Sequence, residues 1–242
     1  MRGIADLASV TSAILAGGLG TRLRAVVTQK PKILAQVRGR PFLAYLLDQL
    51  TAFGFKDAVL CTGYLADQVK AAFGETYGSL HLAYSQEPEP MGTGGALRLA
   101  LPMFRSEVVL VMNGDSYCEV DLRELWAWHG ARDALATLVL TRRRDTSRYG
   151  RVEVAADGAV RSFAEKGGVR GAGWINAGIY LLSRKLLKNI PAKRLVSLEG
   201  EIFPAWIGRG LYGYQGGGRF LDIGTPQAYA AATRFFAPNT RS

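Results

Sequence analysis

The sequence predicts an α/β protein, a doubly wound, Rossmann-like and mostly parallel sheet with a smaller β-rich portion added to it. Three observations carry this expectation. Short apolar runs rich in β-branched residues alternate with amphipathic helical patterns. A glycine-rich stretch directly follows the first of these runs, and from about Thr141 the rhythm loosens into short strands and glycine-rich turns.

Taken in order, residues 12–16, 58–62, 80–85, 108–112 and 135–140 read as strands. Residues 41–53 set Phe42, Tyr45, Leu46, Leu50 and Phe53 at helical spacing behind a proline at the first turn, and 66–73, 94–104 and 121–129 behave similarly. Strand and helix taking turns argues for a parallel sheet, in which ligands bind beyond the carboxyl ends of the strands. Further on, 151–154, 160–163 and 175–182 read as strands and 226–236 as a last helix. No hexapeptide repeat follows, so no β-helical acyltransferase domain is expected.

At 242 residues and 48% hydrophobic composition, one domain over 1–242 is expected, with halves at about 13–140 and 141–236 sharing one core. The first twelve residues hold one basic residue and no apolar run, and no later stretch approaches the roughly 18 apolar residues of a membrane span. This predicts a cytoplasmic protein without a membrane partner. Cys61 and Cys118 sit in or beside apolar runs, as small buried hydrophobes do. The net charge of +10 suits polyanionic ligands. Its basic residues are scattered, with no zinc-finger spacing, aromatic RNP-type strand or basic tail, which favours phosphorylated small molecules over nucleic acid.

After the first strand come Gly17-Gly18-Leu19-Gly20-Thr21-Arg22, with Pro31-Lys32 a little later. Glycines let backbone N–H groups close on phosphate oxygens, Arg22 offers paired planar donors, and Lys32 supplies a compact charge. The stretch is not a P-loop, since no Gly-Lys-Ser/Thr follows. It misses the dinucleotide fingerprint because Leu23 stands where the third glycine belongs.

These residues resemble the signature of the sugar-1-phosphate nucleotidyltransferases, and later motifs follow in that family's order: Gly92-Thr93-Gly94-Gly95-Ala96, Asn113-Gly114-Asp115, Glu165-Lys166, Asn176-Ala177-Gly178 and Asp222-Ile223-Gly224-Thr225-Pro226. The resemblance spans about 13–236 and implies the nucleotide-diphospho-sugar transferase type of fold. Departures at Ala25, Ile33 and Gly167, where prolines are common, bear on the rigidity of two loops. The resemblance implies that Leu15, Ala16, Gly17, Gly18, Gly20, Thr21, Glu87, Gly92 and Thr93 bind the nucleotide. It assigns Arg22, Lys32, Asp115 and Lys166 to catalysis, and Gly150, Glu165, Lys166 and Asn176 to the sugar phosphate. Asp115 and Asp222 hold Mg²⁺ in this reading, although either aspartate taken alone also suits a turn cap. Trp174 is either a wall of the sugar pocket or core filler, and Arg142, Arg143 and Arg144 either guide phosphates or form a solvated loop.

A sugar phosphate is largely dianionic at neutral pH, because its second pKa is about 6, so no side chain has to deprotonate it. His81 and His129 lie near none of these motifs, which argues against histidine-based nucleophilic catalysis. Within the family, the short chain and the motifs around Gly92, Asp115 and Asp222 look most like the branch that moves GMP from GTP to a manno-configured heptose 1-phosphate for capsule or surface glycans. GTP and a sugar 1-phosphate are then the partners, and a homodimer stays open. Glu87 fits guanine, since a carboxylate accepts from both N1–H and N2–H₂, whereas Gln86 or backbone groups are the other possible readers. Mannose 1-phosphate guanylyl transfer and uridylyl or thymidylyl transfer remain alternatives. A catalytically dead regulatory subunit is expected to have lost Arg22, Lys32 or Asp115, and all three are present.

Overall fold

The computed structural model describes residues 6–18, 20, 30–164 and 171–237. The first half runs β1 (Thr11–Leu15), a small hairpin β2 (Gln36–Val37) and β3 (Arg40–Pro41), α1 (Phe42–Ala52), β4 (Asp57–Thr62), α2 (Ala66–Phe73), β5 (Thr76–Tyr77), β6 (Leu80–Gln86), α3 (Gly92–Ala100), β7 (Val108–Asn113), β8 (Ser116–Cys118) and α4 (Leu122–Gly130). The second half adds β9 (Ala136–Arg143), β10 (Arg151–Val154), β11 (Val160–Ala164), β12 (Gly173–Ser183), α5 (Arg184–Lys188), α6 (Phe203–Trp206), β13 (Leu211–Gly217), β14 (Phe220–Asp222) and α7 (Pro226–Phe235).

The central sheet has the order β11-β10-β12-β7-β1-β4-β6-β5, with β9 paired to β12 and β13 to β9. Strands β6, β4, β1 and β7 are mutually parallel, as the alternation of patterns predicts. Chain order reverses between β1 and β7, so a crevice opens beyond their carboxyl ends, where Leu15 and Asn113 stand in register. Successive residues serve opposite faces: Ile14, Leu60 and Met112 join α1 in one core, whereas Ala13, Val59, Cys61 and Val111 join α3 and Phe203 in the other. Both faces are thus covered, which is why these strands read as unbroken apolar runs. Burial pushes the Cys61 and Cys118 thiols up to about 12, in keeping with their reading as buried hydrophobes.

The second half is antiparallel where the first is parallel. β12 lies antiparallel to both β7 and β9 and touches β10 through Ile175 and Arg151. Its register against β9 breaks between Asn176 and Tyr180, where Gly178 takes φ +75°. Local chemistry sets the helix starts. Asp121 caps α4 by accepting from the Arg123 and Glu124 N–H groups, and Thr225 caps α7 ahead of Pro226. The helix expected over 94–104 begins two residues earlier and stops at Ala100, where a 3₁₀ turn over Leu101–Met103 carries Pro102. Of the two histidines, His81 is exposed beside Asp57. His129 is buried against the Thr137 hydroxyl at 2.8 Å.

Candidate active site

Asp115 sits on the turn between β7 and β8, pressed to the first strand because the Gly114 N–H donates to the Leu15 carbonyl at 2.9 Å. A Cβ at Gly114 would lie 2.5 Å from that oxygen, so only glycine fits. Lys32, which opens a 3₁₀ turn, places Nζ 2.7 Å from Asp115 Oδ2 with its side chain only 11% exposed. Asp222 arrives from the other end of the chain. β14 runs antiparallel to β8, pairs Asp222 with Ser116, and lets the Ile223 N–H donate to the Asp115 carbonyl at 2.9 Å.

Asp222 Oδ1 accepts from the Gly224 N–H at 2.5 Å, and a Cβ on Gly224 would stand 3.3 Å from Lys32 Nζ. Two carboxylates and one ammonium therefore share a corner. Among the described residues no group of three or more His, Cys, Asp or Glu side chains could hold a metal. The aspartate pair nevertheless suits Mg²⁺, a hard cation that takes few protein carboxylates and fills its shell with phosphate and water oxygens. The ammonium already held at Asp115 shows that this corner accepts a cation.

A cavity of about 610 Å³ runs from this corner across the crevice. On one side it meets Leu15, Gly17, Gly18, Glu87, Gly92 and Thr93. Glu87 Oε2 accepts from the Met91 N–H at 2.8 Å, and its other oxygen lies so close under Gly17 that a Cβ there would stand 2.0 Å away. Burial pushes the Glu87 carboxyl above its ordinary range, with the Met91 N–H opposing. Ala16, Gly20 and Lys32 line an adjoining cavity of about 220 Å³ with Leu15, Gly18 and Asp115.

The larger cavity is also lined by Gly150, Asn176, Asp222, Tyr149, Phe163 and Glu199. The Asn176 N–H donates to the Gly150 carbonyl at 3.1 Å, its Oδ1 accepts from the Gly178 N–H, and its Nδ2 donates to Tyr180 Oη at 2.8 Å. Tyr180 Oη donates in turn to Glu199 Oε1 at 3.1 Å, while Thr93 Oγ1 donates to Glu199 Oε2 at 2.8 Å. Burial first, then the Glu199 charge, raises the Tyr180 hydroxyl well above its usual pKa, so it stays a donor.

Ten of the residues expected from sequence thus line the larger cavity and three more the smaller one. Thr21, Arg22, Glu165 and Lys166 lie outside the described residues. Among the described residues that line the cavity Trp174 does not appear, and its side chain packs half-buried against the core. Of the arginine run, Arg142 and Arg144 are exposed, whereas the half-buried Arg143 lays its guanidinium over the Phe220 ring and donates to the Phe220 carbonyl. Sequence reasoning missed Glu199. Its only signal was a carboxylate following buried Val196 and Leu198 on the π-helical turn Leu198–Ile202, ahead of buried Phe203.

A parallel crevice with a glycine-rich loop after β1 and an aspartate pair at its mouth defines a protein that handles phosphorylated nucleotides. Residues 11–239 match the family model described as Nucleotidyl transferase, and the chain belongs to that family. It is 35% identical over 222 residues to the D-glycero-alpha-D-manno-heptose 1-phosphate guanylyltransferase of Aneurinibacillus thermoaerophilus, covering 91% of this chain and 96% of that one. It is also 35% identical over 224 residues to the mannose-1-phosphate guanylyltransferase of Mycobacterium tuberculosis, covering 91% of this chain and 62% of that protein. Among solved structures, HddC from Yersinia pseudotuberculosis superposes with a TM-score of 0.83 at 31% identity, covering 94% of this chain and all of that one; it has also been solved in complex with GMP-PN. Among the described residues no helix is long and apolar enough to cross a membrane.

Proposed function

We propose that this enzyme transfers GMP from GTP to a sugar 1-phosphate, releasing pyrophosphate, with a manno-configured heptose 1-phosphate as acceptor and a surface-glycan precursor as product. The observation that carries this reading is one continuous cavity joining the glycine-rich loop and the Asp115–Asp222 corner to the polar wall of Asn176 and Glu199. The heptose assignment draws on the Aneurinibacillus relative and on HddC, and guanine is favoured by the acceptor-only carboxylate of Glu87. The Mycobacterium relative makes mannose 1-phosphate the acceptor to compare first.

In this reading the chain works by positioning and charge rather than covalent catalysis. Asp115 and Asp222 would hold Mg²⁺, which when bound would supply charge neutralisation for the triphosphate. Loop N–H groups from Gly17 to Gly20 and the Lys32 ammonium orient the phosphates, and Arg22 supports the departing pyrophosphate. Lys166 holds the attacking phosphate, whose dianion needs no general base. Glu87 accepts from the guanine edge while Asn176 and Glu199 meet the sugar hydroxyls.

The test is pyrophosphate release with Mg²⁺, five nucleoside triphosphates and a panel of sugar 1-phosphates. Highest kcat/KM for GTP with the heptose 1-phosphate is expected. Preference for UTP or dTTP, or for glucose 1-phosphate, rejects the respective assignment, and silence with every pair rejects the transferase reading.

A further inference from the structure

Thr93 belongs to the loop assigned to the nucleotide, yet its hydroxyl is committed to the neighbouring segment that carries Glu199. Its proton goes to Glu199 Oε2 at 2.8 Å, and its oxygen accepts from the Leu198 N–H at 2.8 Å. The same contact zone is laced by backbone bonds: Val196 N–H to the Met91 carbonyl at 2.9 Å, and Gly94 and Gly95 N–H to the Val196 carbonyl at 2.8 and 3.3 Å. Two N–H groups in the first turn of α3 are therefore spent on the segment that carries Glu199. Side chains at positions 94 and 95 would drive the two apart, since a Cβ at Gly95 would stand 2.8 Å from the Arg194 carbonyl.

Glu199 is consequently held from both oxygens. Thr93 and, more weakly at 3.4 Å, Ser197 donate to Oε2, and Tyr180 donates to Oε1. A carboxylate has about four acceptor positions, so three donors leave room for one more. Glu199 lines the cavity, and Tyr180 joins its carboxylate to Asn176, a residue expected to meet the sugar.

We propose that Thr93 is a positioning residue for the sugar substrate: its hydroxyl orients Glu199 so that the carboxylate accepts from a sugar hydroxyl. The inference rests on the sugar-phosphate reading and assigns the Thr93 hydroxyl to the acceptor, not to the nucleotide. It also makes the two substrate sides interdependent, because the segment that receives the nucleotide fixes the group that reads the sugar.

The experiment is steady-state kinetics with each substrate varied in turn. Thr93→Val keeps the shape and removes the hydroxyl, and is expected to raise KM for the sugar 1-phosphate about tenfold while KM for GTP moves less than about twofold. Thr93→Ser restores the wild-type value, and Thr93→Val adds nothing in a Glu199→Ala background because the two groups act as one unit. A larger shift in KM for GTP, failure of serine to rescue, or multiplicative effects in the double variant each overturn the inference while leaving the transferase reading intact. Should Thr93→Val fail to fold by thermal melting, Glu199→Gln decides, and an unchanged sugar KM in that variant overturns it. A wild-type enzyme silent with every sugar 1-phosphate removes the function and the inference together.

Discussion

Gly17→Ala is the sharpest test of whether Glu87 reads the base. The backbone at Gly17 does not have positive φ, so alanine costs no conformational strain there and acts only through its methyl group. That methyl carbon would lie 2.0 Å from Glu87 Oε1 and 3.0 Å from Cδ. Carbon and oxygen rest at roughly 3.3 Å or more, so the carboxyl must retreat by about 1.3 Å. Glu87 Oε2 holds the Met91 N–H at 2.8 Å, and a retreat of that size carries the bond beyond hydrogen-bonding range. The displaced carboxylate also loses its proposed bond to the guanine edge, and a hydrogen bond to a charged group is worth about 1.5–3 kcal/mol, or about ten- to a hundredfold in kcat/KM for GTP. KM for the sugar 1-phosphate should stay within about twofold, since Gly17 and Glu87 are assigned to the nucleotide. The assay is pyrophosphate release with GTP and UTP in parallel, repeated in a Glu87→Ala background, where Gly17→Ala should do little more. Unchanged GTP kinetics and base preference in the single variant would refute the reasoning.

Asp115→Asn and Asp222→Asn should each cut turnover by about two orders of magnitude or more with the fold intact, read from Mg²⁺ titrations of initial rate; near-normal rates at low Mg²⁺ remove that residue from the metal corner. Asp115→Asn should also lower Tm, because it strands the largely buried Lys32 ammonium. Burial raises the Glu87 pKa, so its ionised form weighs against the empty fold: the stability it lends is complete below the unfolded pKa and is lost as pH rises through the higher folded one. Glu87→Gln should accordingly raise Tm at neutral pH while abolishing the rise in KM for GTP that acidification toward that pKa causes in the wild type; a pH-independent KM in the wild type counts against Glu87. For His129 the sign is reversed, since burial lowers its pKa from 6.5 to about 4, with Asp133 weakly opposing. Its neutral form contributes stability above pH 6.5 that drains away toward pH 4, up to about 3 kcal/mol, and urea titrations of wild type and His129→Gln across that window measure it.

The parallel half was legible because its strands are buried on both faces and its helices carry their own punctuation. β4 and β7 read within one residue of their observed bounds, and α2 was matched outright, since apolar runs and helical spacing are properties of the chain alone. Pairing direction is not such a property. Nothing in the run at 175–182 announces that it lies antiparallel between β7 and β9. β13 escaped notice for a related reason: Leu-Tyr-Gly-Tyr-Gln-Gly-Gly has low intrinsic strand preference and is held in place by pairing with β9. In the site, residues carried by glycine-rich motifs could be found because close backbone approach demands glycine, as at Gly114 and Gly92. Glu199 belongs to no such motif, and its relation to Thr93 and Tyr180 exists only once three distant segments are folded together.

The two-stranded ladder of β8 and β14 has a consequence for how the enzyme comes into being. Domains assemble from the N-terminal side as the chain leaves the ribosome, and the glycine-rich loop, Lys32 and Asp115 all belong to the early-emerging half. Asp222 is brought to Asp115 by that ladder and the Ile223 bond beside it. A nascent chain therefore has no acidic pair until β14 has emerged and docked. If the pair holds Mg²⁺ as proposed, a chain cut short before β14 should release no pyrophosphate from a nucleotide that meets its half-made pocket.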